Sequence, residues 1–397
     1  MIHSATGYDS DMERFDVLIV GAGIVGSAAA RECTLAGLHV GVVEGHLPAA
    51  GATAAGMGHI VAMDDSPAQL ALTVYSRSLW LAESTKLPPA VEYRSRGTIW
   101  VATDDEEMAE VHAKTNIYAE TGVASQVLSP SELLSLEPNL REGLAGGLLV
   151  PDDGVSYPPA AAAFFLAEAQ RLGAKLFARR ALSAVNGEVQ LANGVCLGAD
   201  RIVLAVGTEC DLLPALPVKK RKGHLAITDS YPGFIRHQLV ELGYLKSAHR
   251  VAADSVAFNL QPRISGQLVI GSSRQYGSDN PAVEPAILKE MMNRAQAYMP
   301  KIGNLSILRE WAGFRAATVD KLPLIGPALG ISDDPTLWLA VGFEGLGITS
   351  SLGSAKLLVD GILGRPSAIA AAPYLPSRMA GTQTPNHKEP EQLEENR

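Results

Sequence analysis

FDVLIVGAGIVGSAAARECTLAGLHVGVVE, residues 15–44, decides the fold. Phe15 to Val20 is a short apolar run of β-favouring residues, Ser27 to Ala36 is rich in alanine and other helix formers, and Val40 to Val43 returns to strand chemistry. The order is strand, helix, strand, and the crossover has the length of a parallel pair. Between the first strand and the helix stand Gly21, Gly23 and Gly26. The first permits a tight turn, the second lets backbone approach a pyrophosphate, and the third lets helix and strand pack closely. Glu44 ends the second strand, 18 residues past Gly26, where a carboxylate accepts hydrogen bonds from an adenosine ribose and repels a 2′-phosphate. The unit therefore predicts a dinucleotide site and argues against NADP.

Outward from this unit the chain alternates. It reads as irregular from Glu44 through Gly58, helical from Ser66 to Lys86, and as strand from Thr98 to Ala102. Ala160 to Leu172 predicts a helix; Lys175 to Phe177 and Glu188 to Leu191 predict short strands, with Asn193 and Gly194 as a hairpin turn. Arg201 to Val206, apolar after its first residue and ended by Gly207, predicts a buried parallel strand of the first sheet. From Val218 to Leu308 come alternating strand candidates, among them Leu225 to Thr228, Ala257 to Leu260 and Gln267 to Ile270, which predict a separate antiparallel sheet. Leu337 to Val341 then repeats the opening pattern in outline: a buried strand, the glycines 342, 345 and 347, and a helix from Ile348 to Leu363. The two ends of the chain are thus expected to fold together around an interrupted domain.

Composition bounds the function. A chain of 397 residues with 47% hydrophobic and 19% charged residues is long enough for two or three packed units. Its formal net charge of −9 gives no long-range attraction for nucleic acid or an anionic membrane surface. The short basic run Lys219 to Lys222 reads as a solvated turn. Cys33, Cys196 and Cys210 are odd in number and widely spaced, which suits neither disulfides nor a metal site, and they read as inert filler in a reducing compartment. Residues 1–14 lack a basic start followed by an apolar stretch, and no run approaches the ~20 apolar residues of a membrane span, so the expected location is cytoplasmic. The polar segment Arg378 to Arg397 reads as a disordered tail.

NAD and FAD both use the opening unit, and the small-residue run GATAAGMGH, residues 51–59, allows backbone to follow a long cofactor without choosing between them. Here the chain resembles the amino-acid-oxidising flavoproteins of the D-amino-acid oxidase, glycine oxidase and sarcosine oxidase family. The resemblance runs from Phe15 to about Leu363. It rests further on VLAVG at 203–207, on Val218 to Leu225, on GFEGLGIT at 342–349 and, most specifically, on WAGFRAATVDKLPLIG at 311–326. It implies an α/β plus α+β fold: a Rossmann-type FAD-binding domain from 12–90, 151–217 and 311–377, interrupted by a substrate domain with a mainly antiparallel sheet from 91–150 and 218–310.

The resemblance also implies a site. FAD is expected along Gly21, Ala22, Gly23, Ile24, Val25, Gly26 and Glu44, along Gly51, Ala52, Thr53, Ala55, Gly56 and Met57, beside Ala181, Ala205 and Gly207, and against the last loop at Gly342, Gly345, Leu346, Gly347, Ile348 and Thr349. In relatives with a flavin-linked histidine that residue falls near Ala55, so FAD is expected to be non-covalent, although His59 ends the same run. Arg315 matches the arginine that holds the substrate carboxylate, a task suited to a guanidinium fork; the competing reading is an ion pair with Asp320. Asn259 and Gln261, with Arg263, lie on the strand that roofs the substrate, where alternate side chains face the flavin. Met57 passes the flavin ring, and Glu344 either meets a substrate amine or hydroxyl or is an exposed loop carboxylate. His224 reads as a satisfied histidine under the sheet. The implied reaction is hydride transfer from the α-carbon of a small amino or imino acid to flavin N5, with D-hydroxyproline the favoured substrate over glycine, sarcosine, opines or other D-amino acids. Electrons then pass to a partner subunit or a quinone, and a homo-oligomer stays open.

Overall fold

The computed structural model describes residues 12–243 and 255–380, so the chain's first residues and most of the expected tail lie outside the described residues. Arg14–Val20 and Val40–Val43 are parallel neighbours, with Val17 opposite Val40 and Val20 opposite Val43, and Ile24–Leu35 is the helix between them. Val40 to Val43 and Val17 to Val20 are all buried, as parallel strands covered on both faces must be. Val17 and Ile19 join the core on the helix side, while Leu18 and Val20 join a second core on the other side.

Around this pair the first sheet runs Lys175–Phe177, Val40–Val43, Arg14–Val20 and Cys196–Leu204 in parallel. The free edge of Cys196–Leu204 is shared. Its first residues pair antiparallel with Glu188–Leu191, itself paired with Ala181–Val185, and its last residues pair parallel with Leu337–Val341. Leu324–Pro327 adds one antiparallel strand. Ile24–Leu35 packs between Pro158–Arg171 and Gly347–Ile362 on one face. The carboxyl ends of four parallel strands, at Val20, Val43, Leu204 and Val341, thus share one edge, where ligands bind in open α/β sheets.

The second sheet has eight strands in the order Ile307–Ala317, Lys219–Thr228, Leu268–Tyr276, Ser255–Pro262, Gln238–Glu241, Thr98–Ala102, Gly146–Val150 and Gln126–Leu128. All neighbours are antiparallel except Gln238–Glu241 with Thr98–Ala102. Pro285–Tyr298 packs on one face of this sheet and buries Met291, Ala295 and Tyr298 there. A small third sheet pairs Gly154–Val155 with both His59–Ile60 and Arg94–Ser95. Asp153 beside it is fully buried, and its Oδ1 accepts from Arg77 Nη1 at 2.6 Å and from the Ala62 amide at 3.0 Å. That pair fixes the segment after His59 to the helix Pro67–Glu83.

Five expectations change. Lys219 to Lys222 is not a solvated turn: it opens the strand Lys219–Thr228, with Lys219 and Lys220 exposed but Arg221 and Lys222 buried. Gly51–Ala55 is a short helix within the stretch expected to be irregular. The strand expected from Arg201 begins at Cys196, because the Asn193–Gly194 turn feeds its partner directly. The tail does not start at Arg378, whose guanidinium donates to Asp320 and to the Leu322 carbonyl while Met379 is buried. Of the cysteines, Cys33 is buried, its thiol pushed up to about 12 by burial and the nearby Glu32, but Cys196 is exposed and fills nothing.

Candidate active site

A cavity of about 390 Å³ runs from the carboxyl edge of the first sheet to one face of the second. At the first end Gly21 turns the chain at φ +108°, and a Cβ there would meet the Ala205 carbonyl oxygen at 2.5 Å. Gly26 faces the same turn, and a Cβ on it would stand 1.9 Å from the Gly21 oxygen. Thr53 Oγ1 accepts the Ile24 amide at 3.0 Å, while Glu44 accepts the Ala22 amide at 2.7 Å and the His46 amide at 2.8 Å. Glu44 is thereby fixed at the cavity wall.

Of the residues expected to touch the cofactor, all line the cavity except Ala22, Gly26 and Thr349. Ala22 is fully buried with its amide bound to Glu44. Gly26 lies against the turn instead of the opening. Thr349 donates its hydroxyl to the His59 carbonyl at 2.8 Å and accepts the Val61 amide at 3.3 Å, so it holds the His59 segment in place. The cavity fits FAD: the Gly21 and Gly23 turn and the open start of Ile24–Leu35 suit a pyrophosphate, and Gly51 and Gly207 leave space around their α-carbons. The far end passes Met57 and the start of the helix Gly347–Ile362.

The far end is roofed by one face of the second sheet. Along Lys219–Thr228 the side chains alternate: Gly223 and Leu225 line the cavity, while Lys222 and His224 point away. Lys222 donates to Glu284 at 2.6 Å. His224 Nε2 accepts the Glu284 amide at 3.0 Å, which puts its proton on Nδ1, 2.9 Å from Ser273 Oγ; it is a buried structural group.

Arg315 does line the cavity, and its Nη1 donates to the Ser273 carbonyl at 3.0 Å. Its stem runs between two glycines. A Cβ on Gly345 would be 3.0 Å from Arg315 Cδ, and one on Gly223 would be 2.4 Å from Nη1. Asp320 is not its partner, since that carboxylate is held by Arg378 at 2.7 Å. Among the described residues no carboxylate pairs with Arg315. Burial and the neighbouring Arg221 push its guanidinium down to about 10, which leaves it charged at neutral pH.

Asn259 also lines the cavity, and its Oδ1 lies 3.2 Å from His59 Nε2. The amide oxygen only accepts, so Nε2 carries the proton and Nδ1 keeps a lone pair. Burial pushes His59 down to about 4 against the pull of the Asn259 hydrogen bond, with the Arg315 charge adding to the fall, so the ring is neutral.

Gln261 does not reach the cavity. It is fully buried, further along the strand from Asn259, and donates to Gln238 Oε1 at 3.4 Å. Arg263 likewise pairs with Glu92 and donates to the Ser156 carbonyl. Glu344 is no exposed carboxylate: it is buried, and it is ion-paired with Arg221. Arg274, which the sequence reading passed over, lines the cavity as a buried cation. Its signal was the alternation of Ser272 and Arg274 on a strand one removed from that of Arg315.

No helix among the described residues is long and apolar enough to cross a membrane, and they contain no cluster of metal-ligating side chains. Glycine oxidase of Geobacillus kaustophilus is 27% identical over 386 residues, spanning 93% of this chain and 98% of that protein. D-amino acid dehydrogenase 2 of Pseudomonas aeruginosa is 30% identical over 267 residues, 64% of this chain and 60% of that protein. Among solved structures, the Geobacillus kaustophilus glycine oxidase superposes with a TM-score of 0.82 at 24% identity, covering 92% of this chain and 99% of the other. The L-proline dehydrogenase of P.horikoshii also gives 0.82, at 22% identity over 93% of this chain and 98% of the other. The family described as FAD dependent oxidoreductase matches residues 16–361, and the chain belongs to it.

Proposed function

We propose that this flavoprotein oxidises a small amino or imino acid at its α-carbon, with D-hydroxyproline as the substrate. The observation that carries the reading is Arg315: a charged guanidinium, held between Gly223 and Gly345, facing the cavity with no carboxylate of the described residues on it. A partly buried cation so placed suits a carboxylate ligand, bound through two parallel hydrogen bonds. The similarity to glycine oxidases and D-amino acid dehydrogenases supports the amino-acid class.

Bound FAD supplies the two-electron acceptor that takes the hydride. The chain supplies position. Arg315 fixes the carboxylate, and Met57, Leu225 and Trp100 keep that part of the cavity apolar, so water is kept from the reacting atoms. The neutral His59 offers a lone pair on Nδ1 and Asn259 offers its amide protons, a donor and acceptor pair suited to a ring hydroxyl. Ala55 gives the cofactor nothing to bond to, in keeping with FAD held without a covalent link.

An anaerobic screen of D- and L-amino and imino acids tests this reading through bleaching of the flavin band near ~450 nm. D-hydroxyproline is expected to bleach it, and Arg315→Ala to lose the effect while remaining yellow. Bleaching by no amino or imino acid would overturn the reading, and bleaching by another one alone would remove D-hydroxyproline.

A further inference from the structure

The roof strand Leu268–Tyr276 is out of step with both of its neighbours at one place. Between the pairs Lys222 with Gln275 and Ala226 with Ile270, residues 223–225 of one strand face 271–274 of the other. On the opposite flank Val256 pairs with Ser273 and Asn259 with Gly271, so 257 and 258 face Ser272 alone. Irregularities of this kind interrupt a ladder and re-aim the side chains beside it.

At this interruption Ser273 is held by side chains. Its hydroxyl oxygen accepts the His224 amide at 2.9 Å and His224 Nδ1 at 2.9 Å, so both lone pairs are engaged. Its carbonyl accepts Arg315 Nη1 at 3.0 Å. Ser273 is 1% exposed and His224 is fully buried, so water does not compete for these bonds. The imidazole is fixed from behind: Nε2 accepts the amide of Glu284, the residue that precedes the helix Pro285–Tyr298. Glu284 is itself clamped by Lys222 at 2.6 Å and Gln275 at 2.9 Å, which form the last regular pair before the interruption. One chain of bonds thus runs from a helix start through His224 and Ser273 to the guanidinium in the cavity wall. Gly223 leaves room for that guanidinium; Ser273 is what holds it.

We propose that His224 and Ser273 are positioning residues, which hold Arg315 in the orientation where its remaining N–H groups meet a carboxylate in the cavity. That this carboxylate is the substrate's rests on the amino-acid reading above. Two parallel hydrogen bonds need a guanidinium whose plane is fixed, and a fixed group binds more tightly than one that must be ordered on binding. Neither His224 nor Ser273 lines the cavity, so their influence is exerted through Arg315.

The test uses the FAD-loaded protein and two planar probes of nearly equal shape, pyrrole-2-carboxylate and pyrrole-2-carboxamide, with binding read by calorimetry. Ser273→Ala is expected to weaken the carboxylate by about threefold to tenfold, the scale of one net hydrogen bond, and to leave the carboxamide Kd unchanged. In an Arg315→Met background the same substitution should change neither Kd, since a positioning effect vanishes with the group it positions. A residue that only stabilised the sheet would weaken both probes, and in either background. His224→Asn, whose amide nitrogen stands about where Nδ1 does, should keep more carboxylate affinity than His224→Leu, and this pair carries the comparison if Ser273→Ala does not retain FAD. The proposal fails if the carboxylate Kd stays that of wild type, if both probes weaken alike, if the loss persists without Arg315, or if the two His224 variants behave identically. Failure of the functional reading looks different. A wild type that oxidises no amino or imino acid but shows the coupling keeps the positioned arginine and loses the substrate; oxidation of D-hydroxyproline without the coupling does the reverse.

Discussion

At the scale of single residues the sharpest consequence concerns His59. Its native value of about 4, against an ordinary 6.5, means that the unfolded chain binds a proton more readily than the folded one between those values. Stability should therefore fall as pH drops from 6.5 towards 4 and lose nothing further from this group below that. Denaturant midpoints of the FAD-loaded wild type and His59→Gln across this window check it. The wild type should lose more than the variant, and equal losses would show that His59 is not held neutral by burial. Residues of this kind are only half legible in sequence. Arg315 stands out within WAGFRAATVDKLPLIG, but the choice between an anchor and an Asp320 ion pair depended on Arg378, 58 residues further on. Glu344 read as a loop carboxylate because its partner Arg221 lies 123 positions earlier (344 − 221 = 123). Arg274 gave a signal, strand alternation, that carries meaning only once its strand is known to lie near that of Arg315.

Elements were more legible than residues, and two glycines show why and how to test it. Gly26 sits where the first helix meets the first strand, so a Cβ placed 1.9 Å from the Gly21 oxygen forces the helix away from the turn. Gly26→Ala is expected to come out with little FAD and to lose about 1–3 kcal/mol of stability, the usual range for overpacking; flavin content and thermal midpoint measure both. Gly223→Ala makes a contrast, because the three atoms nearest its Cβ would all belong to the Arg315 guanidinium, a side-chain end that can shift where backbone cannot, the closest 2.4 Å away. That variant should stay yellow and near wild-type stability but bind the substrate carboxylate weakly, as titration with pyrrole-2-carboxylate would report. A colourless Gly223→Ala, or a yellow Gly26→Ala of normal stability, would contradict the division of labour between the two ends of the cavity. The opening strand–helix–strand was readable because its spacing is local. Lys219 to Lys222 was not, since a run of four cations looks solvated until Glu284, 62 residues after Lys222, arrives to cover one of them.

For the whole molecule the decisive feature is that the cavity wall is drawn from nearly the full chain, from Val20 at one end to Ile348 at the other, with both sheets contributing. A ligand stabilises only the cooperative unit it binds, by about 4.1 kcal/mol when its concentration is a thousandfold above its Kd. If Arg14–Val20 and the roof strand Ile307–Ala317 belong to one such unit, FAD must protect both. Hydrogen exchange of the protein stripped of FAD and then reloaded measures this strand by strand. Slowing by similar factors in both strands is the expected outcome, since Gly21 and Arg315 border one cavity and the buried pair Arg77–Asp153 fixes the His59 segment to a helix that packs on Gly347–Ile362. Slowing confined to Arg14–Val20 would mean that the roof opens independently of the cofactor-binding sheet. Substrate affinity would then be set by a local equilibrium of the roof, and weakening that sheet would reduce carboxylate binding without releasing FAD.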